Sequence, residues 1–218
     1  MILGYLIDNI LHKTDESGYR LLTCRITAED TFLAHALEER GFRLCDVLNI
    51  YVSELDVSEL TVADEKDEAI KILDRCLEDM SWGRVYQDPN IDHSLAKKFY
   101  RDSSAWILSQ KCHVTIARVN GHSVGLAIGI IDQQISDNIS RNFGALWLIA
   151  VDREYRGMGV GKKLLQDFSK EFSTQVDLLE IGTQVSNIPA NRMYLKANYQ
   201  PLTQALTFHR WSSGNDIR

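Results

Sequence analysis

Residues 156–163 of this 218-residue chain read Arg-Gly-Met-Gly-Val-Gly-Lys-Lys, and glycines at alternate positions beside basic side chains could bind an anion. Glycine lets successive backbone N–H groups converge on one phosphate, and a helix starting at the turn adds partial positive charge. Gly157, Gly159 and Gly161 would form such a cradle with the amides of Met158 and Val160, flanked by Arg156 and Lys162. The residues alone leave three readings open: a tight turn that serves packing, a dinucleotide-binding loop, and a pyrophosphate cradle. Spacing weighs against the second. The order is G-x-G-x-G and not G-x-G-x-x-G, and the turn lies far from the chain start, after a hairpin. A phosphate loop ending in Gly-Lys fails as well, because four residues do not separate the first glycine from Gly161-Lys162.

A turn of this kind needs a strand and a helix to hold it. The segment from Ala145 to Val151 carries no charge and is rich in aliphatic side chains, which predicts a buried strand. Beyond the turn, Val160, Leu164, Leu165, Phe168 and Phe172 share one helical face. Lys162, Lys163, Asp167 and Lys170 mostly take the other. Upstream, the pattern predicts a strand over 19–27, a helix over 28–41 closed by Gly41, and a strand over 42–55. An acidic connector over 53–68 leads to a helix over 67–80, with Ala69, Ile70, Leu73, Cys76, Leu77 and Met80 at helical spacing. Then follow a loop over 81–92, a helix over 93–110, and a hairpin over 112–132 turning at Asn120-Gly121. A strand over 176–184, a short helix over 189–198 and a strand over 205–211 complete the chain. The fold class is α/β, of the α+β type. Residues 1–60 read as a small N-terminal α/β scaffold domain, and 61–218 as the domain that carries the chemistry.

Composition narrows the classes. The chain is 44% hydrophobic and 25% charged, as in an ordinary globular protein. No uncharged stretch approaches the roughly 18–20 residues of a membrane span, so no membrane partner is expected. The apolar start meets Asp8 early and lacks the basic region of a signal peptide, which makes the cytoplasm the expected location. A net charge of -6 argues against a nucleic-acid surface. Cys24, Cys45, Cys76 and Cys112 form no CxxC pair and read as free thiols. The six histidines show no ligand spacing, so no metal is expected.

The set Arg156, Gly159 and Gly161 resembles the acyl-CoA-binding motif of the GNAT superfamily of N-acetyltransferases, Arg or Gln, two residues, Gly, one residue, Gly or Ala. A second segment resembles that superfamily's later motif, with Asn187, Ala190, Tyr194 and Lys196 in register. Asn198 and Tyr199 stand where Gly and Phe are usual, and asparagine is the next best residue for a left-handed backbone. The resemblance covers the chain from about Val62 to Trp211 and implies a GNAT fold, a mixed central sheet flanked by helices. It implies acetyl-CoA as donor substrate. Ile149, Ala150 and Val151 would meet its pantetheine arm and thioester. Arg156, Gly157, Met158, Gly159, Val160, Gly161 and Lys162 would meet its pyrophosphate, and Asn187 would hold the arm. Tyr194 takes the position of the general acid that protonates the departing thiolate. Some relatives carry a glutamate on the strand before the turn; residues 145–151 contain none, so no base is assigned.

The acceptor would be a primary amine. Arg84, Tyr86 and Asp88, followed by Tyr100 and Trp106, resemble a pattern in nucleotide-sugar acetyltransferases. Thr183–Asn187 is similar to the strand end of those that act on dTDP-fucosamine in surface-polysaccharide synthesis. Read alone, the segment around Arg84 is as readily a solvated loop as a substrate loop. Acetylation of a protein N-terminus, a lysine or a polyamine stays open, as does a homodimer. A non-catalytic acyl-CoA-binding module is the reading of another class, and the retained Tyr194 argues against it.

Overall fold

The computed structural model describes residues 2–55, 66–77 and 83–212. Its helices are α1 (Ile2–Glu16), α2 (Thr31–Glu38), α3 (Lys66–Leu77), α4 (Arg84–Gln87), α5 (His93–Ser109), α6 (Gln133–Ile139), α7 (Val160–Phe172) and α8 (Ile188–Lys196). Its strands are β1 (Leu21–Thr27), β2 (Arg43–Glu54), β3 (His113–Val119), β4 (His122–Ile131), β5 (Phe143–Val151), β6 (Leu178–Gln184) and β7 (Gln200–Trp211). They form one sheet in the order β1-β7-β2-β6-β5-β4-β3, with β5 and β6 parallel and the other neighbours antiparallel. This is the mixed sheet with flanking helices that the sequence predicts.

Helices cover both faces because the strands are apolar on both. On one face Leu164, Leu165, Phe168 and Phe172 of α7 pack with Leu146, Leu179 and Ile181. Each such side chain contributes about 1.5–3 kcal/mol of gross burial. On the other face Leu73, Cys76 and Leu77 of α3 and Ile107 and Leu108 of α5 pack on Val114, Leu126, Ile128 and Leu148. A third cluster joins Ile7 and Leu11 of α1 and Leu37 of α2 to Ile26 and Phe208. The hairpin turns at Asn120 and Gly121, both left-handed, at φ 51 and 79. That is the geometry a two-residue Asn-Gly turn needs.

Three elements differ from the sequence reading. The chain opens with a helix, α1, anchored by buried Ile7 and Leu11, ahead of the expected β-α-β piece. The expected loop over 81–92 contains the single helical turn α4. A further short helix, α6, is capped by the Asp132 carboxylate, which accepts from the Ile135 N–H at 2.9 Å. Most of the acidic connector and Met80 lie outside the described residues. β1 and β2, which precede residue 60, share one continuous sheet with β3 to β7, β2 lying between β7 and β6. No helix among the described residues is long and apolar enough to cross a membrane.

One irregularity matters for the site. β5 pairs with β6 only from Phe143 to Leu146, against Leu178 to Ile181. Beyond that point the two strands part, while β5 stays paired to β4 as far as Val151 and β6 stays paired to β2 as far as Gln184. The result is a wedge-shaped opening between neighbouring strands, floored by the exposed Gly182.

Candidate active site

The glycine turn closes the open end of β5. Arg153–Tyr155 makes one 3-10 turn, and the chain then passes through Gly157 at φ 78 and Gly159 at φ 83 before α7 begins. Both values demand glycine. A Cβ on either would meet nothing within 4 Å, so the turn is open on its outer side. Gly161 is not left-handed, and a Cβ there would make ordinary contact with the Met193 sulfur at 3.5 Å, where α7 approaches α8. The first N–H groups of α7 have no partner within the helix, which leaves donors at the turn. Arg156 Nε donates to the Val151 carbonyl at 2.8 Å and ties the turn to the strand. Met158 is 72% exposed, and Lys162 is exposed.

Hydrogen bonding along β5 alternates, and this sorts its backbone groups. Asp152 N–H donates to the Val124 carbonyl at 2.8 Å, and the antiparallel register pairs Ala150 with Leu126 and Leu148 with Ile128. Alternation therefore turns Leu148, Ala150 and Asp152 toward β4, and turns the N–H and C=O of Ile149 and Val151 toward the opening. Of the three residues expected to meet the pantetheine arm, two present backbone groups there and Ala150 does not. A bulge at Trp147, where the register with β4 shifts, leaves that indole 45% exposed at the point where β5 and β6 part. The sequence reading treated Trp147 as one more buried strand residue.

Helix α8 stands on the α7 side of the sheet. Tyr194 is 3% exposed, with the Tyr51 ring edge-on at 5.8 Å and Tyr199 at 6.3 Å. Burial pushes its phenol well above the usual range, helped by those two neighbouring phenols. It is therefore protonated at neutral pH. Asn187 caps α8, its Oδ1 accepting from Ala190 N–H at 3.4 Å and its Nδ2 donating to Thr183 Oγ1 at 3.0 Å. The buried Asn191 donates from Nδ2 to the carbonyls of Gln184 and Asn187, and its Oδ1 accepts from Tyr51 OH at 2.7 Å and Asn49 Nδ2 at 2.9 Å. Strand β2 thus holds the loop that enters α8. Asn198 is left-handed at φ 65, as its place in the motif requires.

The residues expected to meet the acceptor lie on the other face and divide into two kinds. Arg84 is half-buried, with its guanidinium 5.4 Å from the Phe99 ring centroid. Tyr86 stacks on Tyr100 at 5.5 Å, and its hydroxyl is buried without a hydrogen-bond partner. Asp88 is enclosed. Its Oδ1 accepts from Asn90 N–H, and its Oδ2 accepts from His209 Nδ1 at 2.6 Å and Trp211 Nε1 at 2.9 Å. Burial alone would raise the Asp88 pKa, but bonds from His209, Asn90 and Trp211 outweigh it and hold the carboxyl below its usual value. The chemistry of Asp88 is thus spent in fastening α4 to β7. The same contacts gather Cys45, Asp88 and His209 with ligand-type atoms within 4.8 Å, a grouping that spacing along the chain does not reveal. Both Asp88 oxygens already accept hydrogen bonds, and burial pushes the Cys45 thiol up to about 11, so this cluster is built as a hydrogen-bonded anchor.

Sequence reasoning missed three charged groups on this face: Arg25, Asp46 and Glu180. Glu180 is half-buried, and on β6 it alternates with Leu179 and Ile181 of the core, so it shares a face with Gly182 and Gln184. Burial raises its carboxyl, with Arg25 pulling the other way. The local signal was a glutamate between apolar neighbours in a strand.

Residues 75–199 match the family model described as the acetyltransferase (GNAT) family. Among solved structures, a GCN5-related N-acetyltransferase from Kribbella flavida is similar over 97% of this chain and 76% of that one, at 14% identity and a TM-score of 0.63. A functionally unknown conserved protein from Staphylococcus epidermidis covers 98% of this chain and 80% of its own, at 17% identity and a TM-score of 0.62. The GCN5-related N-acetyltransferase from Sphaerobacter thermophilus is 16% identical over 90% of this chain, with a TM-score of 0.56, and this chain spans 62% of its length. At these identities the likeness is one of fold. No curated protein matches the chain.

Proposed function

The chain belongs to the GNAT acetyltransferase family, and from that premise we propose that it transfers an acetyl group from acetyl-CoA to a primary amine. One observation carries the reading most: the strand edge at Ile149 and Val151, left open by the parting of β5 and β6, runs directly into a turn with free helix-start donors. The turn from Arg156 to Lys162 would take the pyrophosphate. The open edge of β5 would pair with the pantetheine amides, and its Ile149 or Val151 N–H would face the thioester oxygen as negative charge develops there.

Attack by the neutral amine forms the new C–N bond, the nitrogen releases its extra proton to water, and collapse of the tetrahedral species breaks the C–S bond. The departing thiolate then takes a proton from Tyr194. A thiol pKa of about 8.5 makes this transfer uphill from a phenol of about 10 or more, feasible when the two are positioned. Asn187 and Asn191 set the entry of α8 and so the place of Tyr194.

A finer reading assigns the acceptor as a nucleotide-linked amino sugar. Its support is Arg84, which projects from α4 with no carboxylate partner among the described residues. Thiol release from acetyl-CoA, measured against amino-sugar nucleotides, polyamines and peptides, tests both levels. Release with any amine supports the transferase, and preference for the nucleotide sugar supports the finer reading. Tight acetyl-CoA binding with no release on any amine would favour a non-catalytic module.

A further inference from the structure

Resting on the amine-acetylation reading, we propose that Arg25 and Arg84 form an anion-binding subsite for the acceptor, which is therefore an amine bearing a phosphate or carboxylate distant from its amino group. Thr207 on β7 is flanked in register by Arg25 on β1 and by Asp46 on β2. Arg25 Nε donates to Thr207 Oγ1 at 3.1 Å, and Gln184 Nε2 donates to Asp46 Oδ2 at 3.2 Å. A polar row thus crosses β1, β7 and β2 to the end of β6, where the opening between β5 and β6 lies. α4 is fixed above this row by Cys45 Sγ, which donates to the Arg84 carbonyl at 3.1 Å.

Arg25, Arg84, Asp46 and Glu180 share this face without forming an ion pair with one another. Burial and then Arg84 lower the Arg25 pKa, with Asp46, Tyr100 and Glu180 opposing. Among the described residues neither guanidinium is ion-paired: Arg25 bonds only Thr207, and Arg84 lies over Phe99. Asp46, the carboxylate in the row, is buried and receives its side-chain bond from the neutral amide of Gln184. Asp46 and Glu180 offset part of the repulsion between the two guanidiniums, but among the described residues neither carboxylate bonds either one, so both forks keep donors for a ligand anion. The acetyl position at the open edge of β5 lies four strands from Arg25 on β1, with Arg84 held above β2 between them. That order suits an ammonium at one end and an anion at the other. Four strand spacings less the reach of an arginine put them on the order of 10–15 Å apart.

The test uses inorganic pyrophosphate as probe, titrated calorimetrically into Gly159→Val, whose turn can no longer cradle a phosphate. The expected result is retained binding in Gly159→Val and a loss of about tenfold or more when Arg25→Gln or Arg84→Gln is added. Arg25→Lys, which keeps the charge without the fork, should fall between. Abolished binding in Gly159→Val alone, or indifference to both arginine changes, would overturn the subsite. Thiol release separates the two readings. Equal turnover of phosphorylated and unphosphorylated amino sugars contradicts the subsite and leaves the transferase standing. Arginine-dependent pyrophosphate binding without acetylation of any amine contradicts the transferase and leaves the anion site.

Discussion

The turn after β5 and the polar face beneath α4 are built by opposite means. At the turn, nearly every group comes from one continuous segment, residues 149–162, and the first N–H groups of α7 have no partner within the helix. Beneath α4, Arg25, Asp46, Arg84, Asp88, Thr207 and His209 arrive from four separate elements, and several satisfy one another. The contrast teaches that a donor site made of backbone can be local, because the amides it uses are everywhere and only glycine and a helix start are needed. A face that must recognise a particular acceptor needs side chains of chosen charge, and those are gathered by the sheet.

The largest effect should come from Tyr194 on α8. Tyr194→Phe is expected to lower kcat by about 100- to 10,000-fold while acetyl-CoA affinity holds, as general acid catalysis supplies that much. The ring remains against Tyr51, so the melting temperature should hardly move. Near-full turnover would make the phenol structural. Arg84→Ala sharpens the contrast from the acceptor side. It should raise the acceptor KM by more than about tenfold and leave acetyl-CoA affinity unchanged, as expected for a lost charge-assisted contact. Equal losses for both substrates would make Arg84 a structural residue.

Asp88→Asn probes the self-satisfied part of the same face, with an expected cost of about 1–3 kcal/mol in stability from weakened bonds to His209 and Trp211. Its pH dependence has a definite sign. The folded pKa of Asp88 is depressed, so its contribution is present above the unfolded value near 4 and disappears as pH falls through the folded value. Acid unfolding curves of wild type and Asp88→Asn should therefore converge below about pH 4. Curves that stay parallel would deny Asp88 that role. The smallest effect is at Asn198, where Asn198→Gly should stabilise by less than about 1 kcal/mol, because φ is 65 there.

Legibility in the sequence follows the same divide. The strand over 145–151, the helix of Leu164 and Phe168, the Asn120-Gly121 hairpin and the left-handed Asn198 could all be read locally, because periodicity and turn chemistry act over a few residues. The insertion of β2 between β7 and β6 could not, since strand order is decided by long-range pairing. Helix α1 escaped notice because its apolar start was weighed as a leader and not as a helical face. Asp88 was legible as a residue type but not as an anchor, because its partners His209 and Trp211 lie at the far end of the chain. Gly161 stood in the motif beside Gly159, yet only Gly159 is held to glycine by φ, and a Cβ at 161 would make ordinary contact with Met193.

Whether the donor is held at the turn is decided by calorimetric titration of acetyl-CoA into wild type, Gly159→Val and Gly41→Val. Gly41 is left-handed at φ 79, and a Cβ there would meet nothing within 4 Å, so valine at this site carries the same backbone strain as at 159. The account requires similar losses of thermal stability in the two variants, wild-type affinity in Gly41→Val, and at least tenfold weaker binding, on the order of 1.4 kcal/mol, in Gly159→Val. Undiminished acetyl-CoA affinity in Gly159→Val, or an equal loss in Gly41→Val, would contradict it.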